Sequence, residues 1–115
     1  MGIRTRRVYD PPSPDDGWRL LVMHQWPRGI PKGAVDAWDR DLGPSLPLLQ
    51  RTRRGELDWE AFRREYEAEM RAKQDKLLAL AQRAQEGTVT QLCACRDESR
   101  CHRSVLKALV EPLGR

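Results

Sequence analysis

The stretch Thr88–Leu109, TVTQLCACRDESRCHRSVLKAL, constrains the fold more than any other part of the chain. Thr88–Cys95 is short, β-branched at one end and mostly apolar, the composition of a buried strand. Gly87 in front of it stops a preceding helix. Alternation sends Val89, Gln91, Cys93 and Cys95 to one face and Thr90, Leu92 and Ala94 to the other. Arg96–Arg100 is too polar to be buried and too charged for a strand, so it reads as a loop. Asp97 or Ser99 is placed to cap the helix that follows by accepting a backbone N–H. Val105, Leu106, Leu109 and Val110 then recur at helical spacing, and Pro112 and Gly114 end that helix.

A second apolar run, Leu20-Leu21-Val22-Met23 within Trp18–Gln25, reads as a strand buried on both faces, as in a parallel or mixed sheet. Ile3–Tyr9 reads as a strand with Ile3, Thr5 and Arg7 on one face and Arg4, Arg6 and Val8 on the other. Its arginines are either solvated edge charges or contacts to an anion. Asp10–Gly17 is a loop rich in Pro, Asp and Gly, and the prolines of Trp26–Pro31 hold a second loop extended. Val35–Leu42 reads as a short helix with Trp38 inward, and Ser45 can cap Leu46–Arg51. Asp58 caps a long amphipathic helix carrying Trp59, Phe62, Tyr66, Met70, Leu77, Leu80, Ala81 and Ala84 on one face. Unbroken to Gln85 it would run roughly 40 Å, so a break near Ala72–Asp75 is expected. The pattern is that of an α/β protein, residues 1–115 forming one domain around a short mixed or parallel sheet of about three or more strands.

This reading puts Cys101, His102 and Arg103 in the first turn of a helix. Free N–H groups and the positive dipole end there attract anions and stabilise a thiolate, lowering a cysteine pKa from about 8.5 toward neutrality. Cys101 is therefore a candidate nucleophile or redox thiol, with an inert capping residue as the alternative. His102 and His24, at the end of the Trp18 strand, are candidate acid–base groups. If the two strands run parallel, their carboxyl ends face one way, the side on which open α/β sheets bind ligands. His24, Trp26 and Arg28 would then oppose Arg96, Ser99, Cys101, His102 and Arg103 across an arginine-lined pocket for a phosphate, a nucleotide or another small anion. The alternatives for Trp26 and Arg28 are a core cover and an ion pair with Asp36, Asp39 or Asp41. Cys93, Cys95, Cys101 and His102 also form a zinc-type donor set. Zinc ribbons and fingers place ligand pairs two to four residues apart on turns, with a second pair farther off. The metal is therefore the weaker alternative here, and no cofactor is expected.

Composition sets outer limits. With 39% hydrophobic and 33% charged residues the chain can build a modest core. A net charge of +4, with 17 acidic residues interspersed, suits a small anionic partner and is not the footprint of a strong nucleic-acid binder. Three cysteines, an odd count, argue for free thiols in a reducing compartment rather than a disulfide framework. No apolar run approaches eighteen residues and no signal peptide is legible, so a cytoplasmic protein without a membrane partner is expected.

The run Leu92-Cys93-Ala94-Cys95-Arg96-Asp97, followed by Cys101-His102-Arg103-Ser104, resembles the Cys-Ala-Glu-Lys-Asp … Cys-His-Arg-Ser signature of the bacterial DUF 488 family. The first half resembles the shorter, YeaO-like branch. Arg6-Arg7-Val8-Tyr9-Asp10-Pro11 matches its opening, and Asp16-Gly17-Trp18-Arg19 with Val22 and Trp26-Pro27-Arg28-Gly29 matches its best-known motif. Trp38, Pro44-Ser45 and Phe62-Arg63, Tyr66 and Glu69 follow in order. Met23-His24 replaces a charged Asp-Arg pair of the family, Cys95 stands where a Glu is typical, and Cys101 stands where the YeaO-like branch often has Asn. The resemblance implies a small α/β fold with a polar site between the Trp-Pro-Arg-Gly loop and the Cys-His-Arg helix start.

Three function classes follow. The first is an enzyme on a small anion, using Cys101 with His24 or His102. The second is a non-catalytic binding or regulatory module, with nucleic acid as one partner. The third is a metal-binding or redox-sensing thiol protein.

Overall fold

The structure, a computed structural model, describes residues 2–114. Strand β1 (Gly2–Arg7) pairs in parallel with β4 (Thr88–Cys93). On its other side β4 pairs in parallel with β2 (Trp18–Leu21), which pairs in parallel with β3 (Ala37–Trp38). The sheet order is β1-β4-β2-β3, so the last strand in sequence lies inside the sheet, flanked by β1 and β2. That explains the apolar composition of β4, whose Val89, Thr90, Gln91, Leu92 and Cys93 are all buried.

The register sorts the strands into two faces. Ile3, Val89 and Trp18 share one row, and Arg4, Thr90 and Arg19 share the next. On the first face Ile3, Leu20, Val22 and Val89 meet four helices: α1 (Leu46–Arg53), α2 (Trp59–Arg71), α3 (Gln74–Glu86) and α4 (His102–Val110). Phe62, Tyr66 and Met70 of α2, Leu77 and Leu80 of α3, and Leu106 and Val110 of α4 close that core. On the second face Val8, Leu21 and Leu92 are covered by loop residues that include Trp26, Ile30 and Val35.

A charged knot organises the second face. The β1–β2 connection crosses back over β4, and Thr90 donates its hydroxyl to the Asp16 carbonyl at 2.6 Å. The Asp16 side chain is wholly buried. It accepts from the Ser13 N–H at 3.0 Å, from Arg6 at 3.1 Å and from Arg19, with Arg4 at 3.7 Å. Arg4 and Arg6 of β1 thus reach an anion that the chain itself supplies. Burial works to raise the Asp16 pKa, but the Ser13 N–H and the Arg6 and Arg19 guanidinium groups outweigh it, and the value is lowered. Gly17 follows at φ +62°, where an added Cβ would stand 2.2 Å from the Thr88 carbonyl oxygen. The Asp16-Gly17 pair therefore fixes how the crossover lies against β4.

The long amphipathic pattern does break, with α2 ending at Arg71 and α3 starting at Gln74. Val35–Leu42 is not a helix. Ala37–Trp38 adds a short strand to the edge of β2, and Arg40–Leu42 forms a single 3-10 turn. Trp38 is correspondingly exposed rather than inward, its indole donating to the Met23 carbonyl at 2.7 Å. At the last helix, Asp97 caps the short 3-10 turn Glu98–Arg100, and the N-cap of α4 is Cys101, whose side chain makes no capping bond. No helix among the described residues is long and apolar enough to cross a membrane.

Candidate functional site

A pocket of about 440 Å³ opens beyond the carboxyl ends of β2 and β4, the position expected for ligands of parallel sheets. Met23, His24 and Gln25 line it after β2, and Cys93, Ala94 and Cys95 line it at and after β4. Helix α1 contributes Leu49, Thr52 and Arg53. The start of α2 contributes Asp58, Trp59 and Phe62, the two rings stacked at 5.6 Å between centroids. Arg100, Cys101 and His102 close the remaining side. A larger hollow of about 570 Å³ lies between the β2–β3 edge and α3. It has no Cys or His in its lining.

The floor is a sulfur–imidazole cluster. Cys93 is the last residue of β4 and points to the helix-covered face, while Cys101 and His102 begin α4 above it. One ligand atom from each of Cys93, Cys95, Cys101 and His102 lies within 4.8 Å of all the others. Cys93 Sγ is 3.4 Å from Cys95 Sγ and 3.8 Å from His102 Nδ1. His102 Nε2 is hydrogen-bonded to the Val22 carbonyl. A carbonyl only accepts, so Nε2 carries a proton, and Nδ1 is the ring nitrogen that faces the sulfurs. The ring packs edge-on against Tyr66 at 5.4 Å. Arg103 lies buried behind the cluster, its Nη1 2.9 Å from the Cys95 carbonyl and 3.6 Å from Cys101 Sγ.

The surroundings of Cys93 favour its thiolate. Hydrogen bonds from Cys101 and Cys95 hold its pKa far below the ordinary thiol range, helped by the Cys95 N–H and the Arg103 charge, against a burial cost. Cys101 is pushed up because it donates to Cys93 and Cys95 and is buried. The neighbouring sulfurs and burial thus override the lowering expected for Cys101 at a helix start, leaving Cys101 the donor and Cys93 the acceptor. Burial, with the negative field of Cys93 and Glu69, raises the Tyr66 pKa.

The structure brings His24, Cys101 and His102 to this pocket, with Arg103 one layer behind. The other residues of the expected anion site do not line it. Trp26 is half-buried against the second face, donating to the Ile30 carbonyl at 2.8 Å and packing edge-on with Trp38. Arg28 and Arg96 are exposed, and Ser99 bonds to Asp97. Asp36 caps the Arg19 N–H, and Asp39 and Asp41 pair with Lys76, so Arg28 has none of the three as its partner. The pocket's own arginines are Arg53 and Arg100. Arg53 lies beyond the Leu46–Arg51 segment expected from sequence, and Trp59 and Phe62 carry the spacing of one helix face. Much of the remaining positive charge is paired on the surface: Arg51 with Glu65, Arg54 with Glu56, and Arg63 with Glu60 and Glu67.

The comparisons with known proteins agree with one another. The family model DUF488-N3a, described as the active DUF488-N3 subclade, matches residues 3–114. The chain is 36% identical over 108 residues to the uncharacterised protein YeaO of Escherichia coli K12, covering 92% of this chain and 94% of that one. It is 33% identical over 110 residues to the uncharacterised protein Rv3073c of Mycobacterium tuberculosis H37Rv, covering 94% and 92% respectively. No solved structure matches it.

Proposed function

This chain belongs to the DUF488 family, in its DUF488-N3 subclade, and from that premise we propose that it binds a small organic anion carrying a flat ring, such as a nucleotide, in the pocket beyond β2 and β4. One observation carries the reading: the same pocket joins a stacked aromatic pair, Trp59 and Phe62, to two arginines, Arg53 and Arg100. An aromatic face takes a planar ring, and a guanidinium fork takes a phosphate or carboxylate. The volume of about 440 Å³ suits a molecule of that size. His24 lines the same space.

Isothermal titration of the full chain with a nucleoside monophosphate, the matching nucleoside and inorganic phosphate tests this. The monophosphate should bind more tightly than either part. Arg53→Ala and Arg100→Ala should each weaken it about tenfold or more, as expected for a charge-assisted contact worth about 1.5–3 kcal/mol. Trp59→Ala should weaken the nucleoside and the nucleotide alike. Absence of binding by all three, or affinities unmoved by the three substitutions, overturns the proposal.

A further inference from the structure

We propose that Cys93, Cys95, Cys101 and His102 form a closed, four-coordinate site for one divalent metal ion of the zinc type. The site stands whether or not the pocket above it takes an anion.

The first support is geometric. A tetrahedral ion bound at about 2.3 Å by sulfur and about 2.0 Å by nitrogen holds its ligand atoms roughly 3.5–3.8 Å apart. Cys93 Sγ already lies 3.4 Å from Cys95 Sγ and 3.8 Å from His102 Nδ1, and no pair in the set exceeds 4.8 Å.

The second support is the state of the imidazole. Metal-binding histidines generally hand their other ring N–H to a carbonyl or carboxylate, which fixes tautomer and orientation. His102 does this with the Val22 carbonyl, leaving Nδ1 facing three sulfurs.

The third support is charge. Three thiolates around a divalent ion leave one negative charge, and the Arg103 guanidinium, 2% exposed, lies 3.6 Å from Cys101 Sγ to offset it. The free N–H groups at the start of α4 act in the same sense.

Three thiolates and one imidazole select zinc over magnesium or calcium, which prefer oxygen. With four protein ligands no position is left open, which marks a structural ion rather than a Lewis acid. It would bind the end of β4 to the start of α4 across the polar loop 94–101. Binding replaces each remaining S–H by an S–metal bond and releases those protons to solvent.

The test uses the full-length chain, untagged, stripped with chelator under reductant and titrated with cobalt(II). We expect one ion per chain, the strong visible bands of tetrahedral cobalt with near-ultraviolet thiolate charge transfer, and stoichiometric bleaching by zinc. Cys95→Ser, chosen because Cys95 is half-buried, should weaken cobalt binding at least about tenfold and reduce the charge-transfer band. Should that variant fail to fold, wild-type thiols decide the matter: one equivalent of zinc should protect all three from alkylation in the native state. Weak pink octahedral cobalt, less than one ion per chain, or thiols that react as fast with zinc as without it overturns the proposal.

Discussion

Asp16→Asn removes one charge from the buried knot and keeps its shape. In the native protein the Asp16 carboxylate holds Arg19, which is 6% exposed, and Arg6, which reaches water. Breaking a buried pair from one side costs about 3–5 kcal/mol, because the remaining charge stays dry and unpaired. Arg6 and Arg4 can turn outward and Arg19 cannot, so the lower end, about 3 kcal/mol, is expected. With a urea slope of about 1.5 kcal/mol per molar, the unfolding midpoint should fall by about 2 M. The pH dependence identifies the cause. The folded-state pKa of Asp16 is lowered relative to the unfolded chain. Its contribution is therefore complete above the unfolded value near 3.9 and is lost as pH falls through the folded value. Urea unfolding of both proteins, followed by tryptophan fluorescence from pH 7 down to the acid limit of folding, should show a gap that is widest at neutral pH and narrows in acid. A loss below about 1 kcal/mol, or a gap that does not narrow in acid, refutes the reasoning.

Gly17→Ala should cost about 3 kcal/mol or more, since positive φ and a collision with backbone combine there. Gly29→Ala, at φ +79° with nothing within 4 Å, should cost about 1–2 kcal/mol; thermal melts that rank the two equally would contradict the crossover packing. Tyr66→Phe deletes the hydroxyl that donates to the Leu42 carbonyl at 2.6 Å in a fully buried position, and urea unfolding should register a loss of about 1–3 kcal/mol. Ser45→Ala removes the α1 cap on the Leu48 N–H together with the bond to Glu69, for about 1 kcal/mol or somewhat more by the same assay.

What the sequence disclosed was local in origin. The β4–loop–α4 unit could be read because its apolar run, its polar interruption and its helical spacing lie within one stretch of chain. The break between α2 and α3 could be read from length alone. Ala37–Trp38 could not, because a two-residue strand has no period and exists only where the edge of β2 offers hydrogen bonds. The pocket wall was hidden for a similar reason. Trp59 and Phe62 have the spacing of ordinary core residues, and only the packing of α1 and α2 beside the strand ends opens one side of them to a cavity. The arginines at the end of α1, close in sequence to the aromatic start of α2, were the available signal, since Arg53 is among them. Ligand spacing counted along the chain pointed away from a metal, yet a strand end laid against a helix start brings Cys93 and His102 together irrespective of that spacing.

The inner place of β4 bears on how the protein is made. β1 leaves the ribosome before the other three strands, but its neighbour in the sheet is the strand at residues 88–93. At about 5–20 residues per second, β1 waits roughly 4–17 s for that partner. Until β4 follows, β1 has no sheet neighbour, β2 has only β3, and α2 and α3, once made, lack the inner strand of the sheet they pack on. A ribosome stalled before Thr88 therefore holds a chain with helices but without the strand on which they pack.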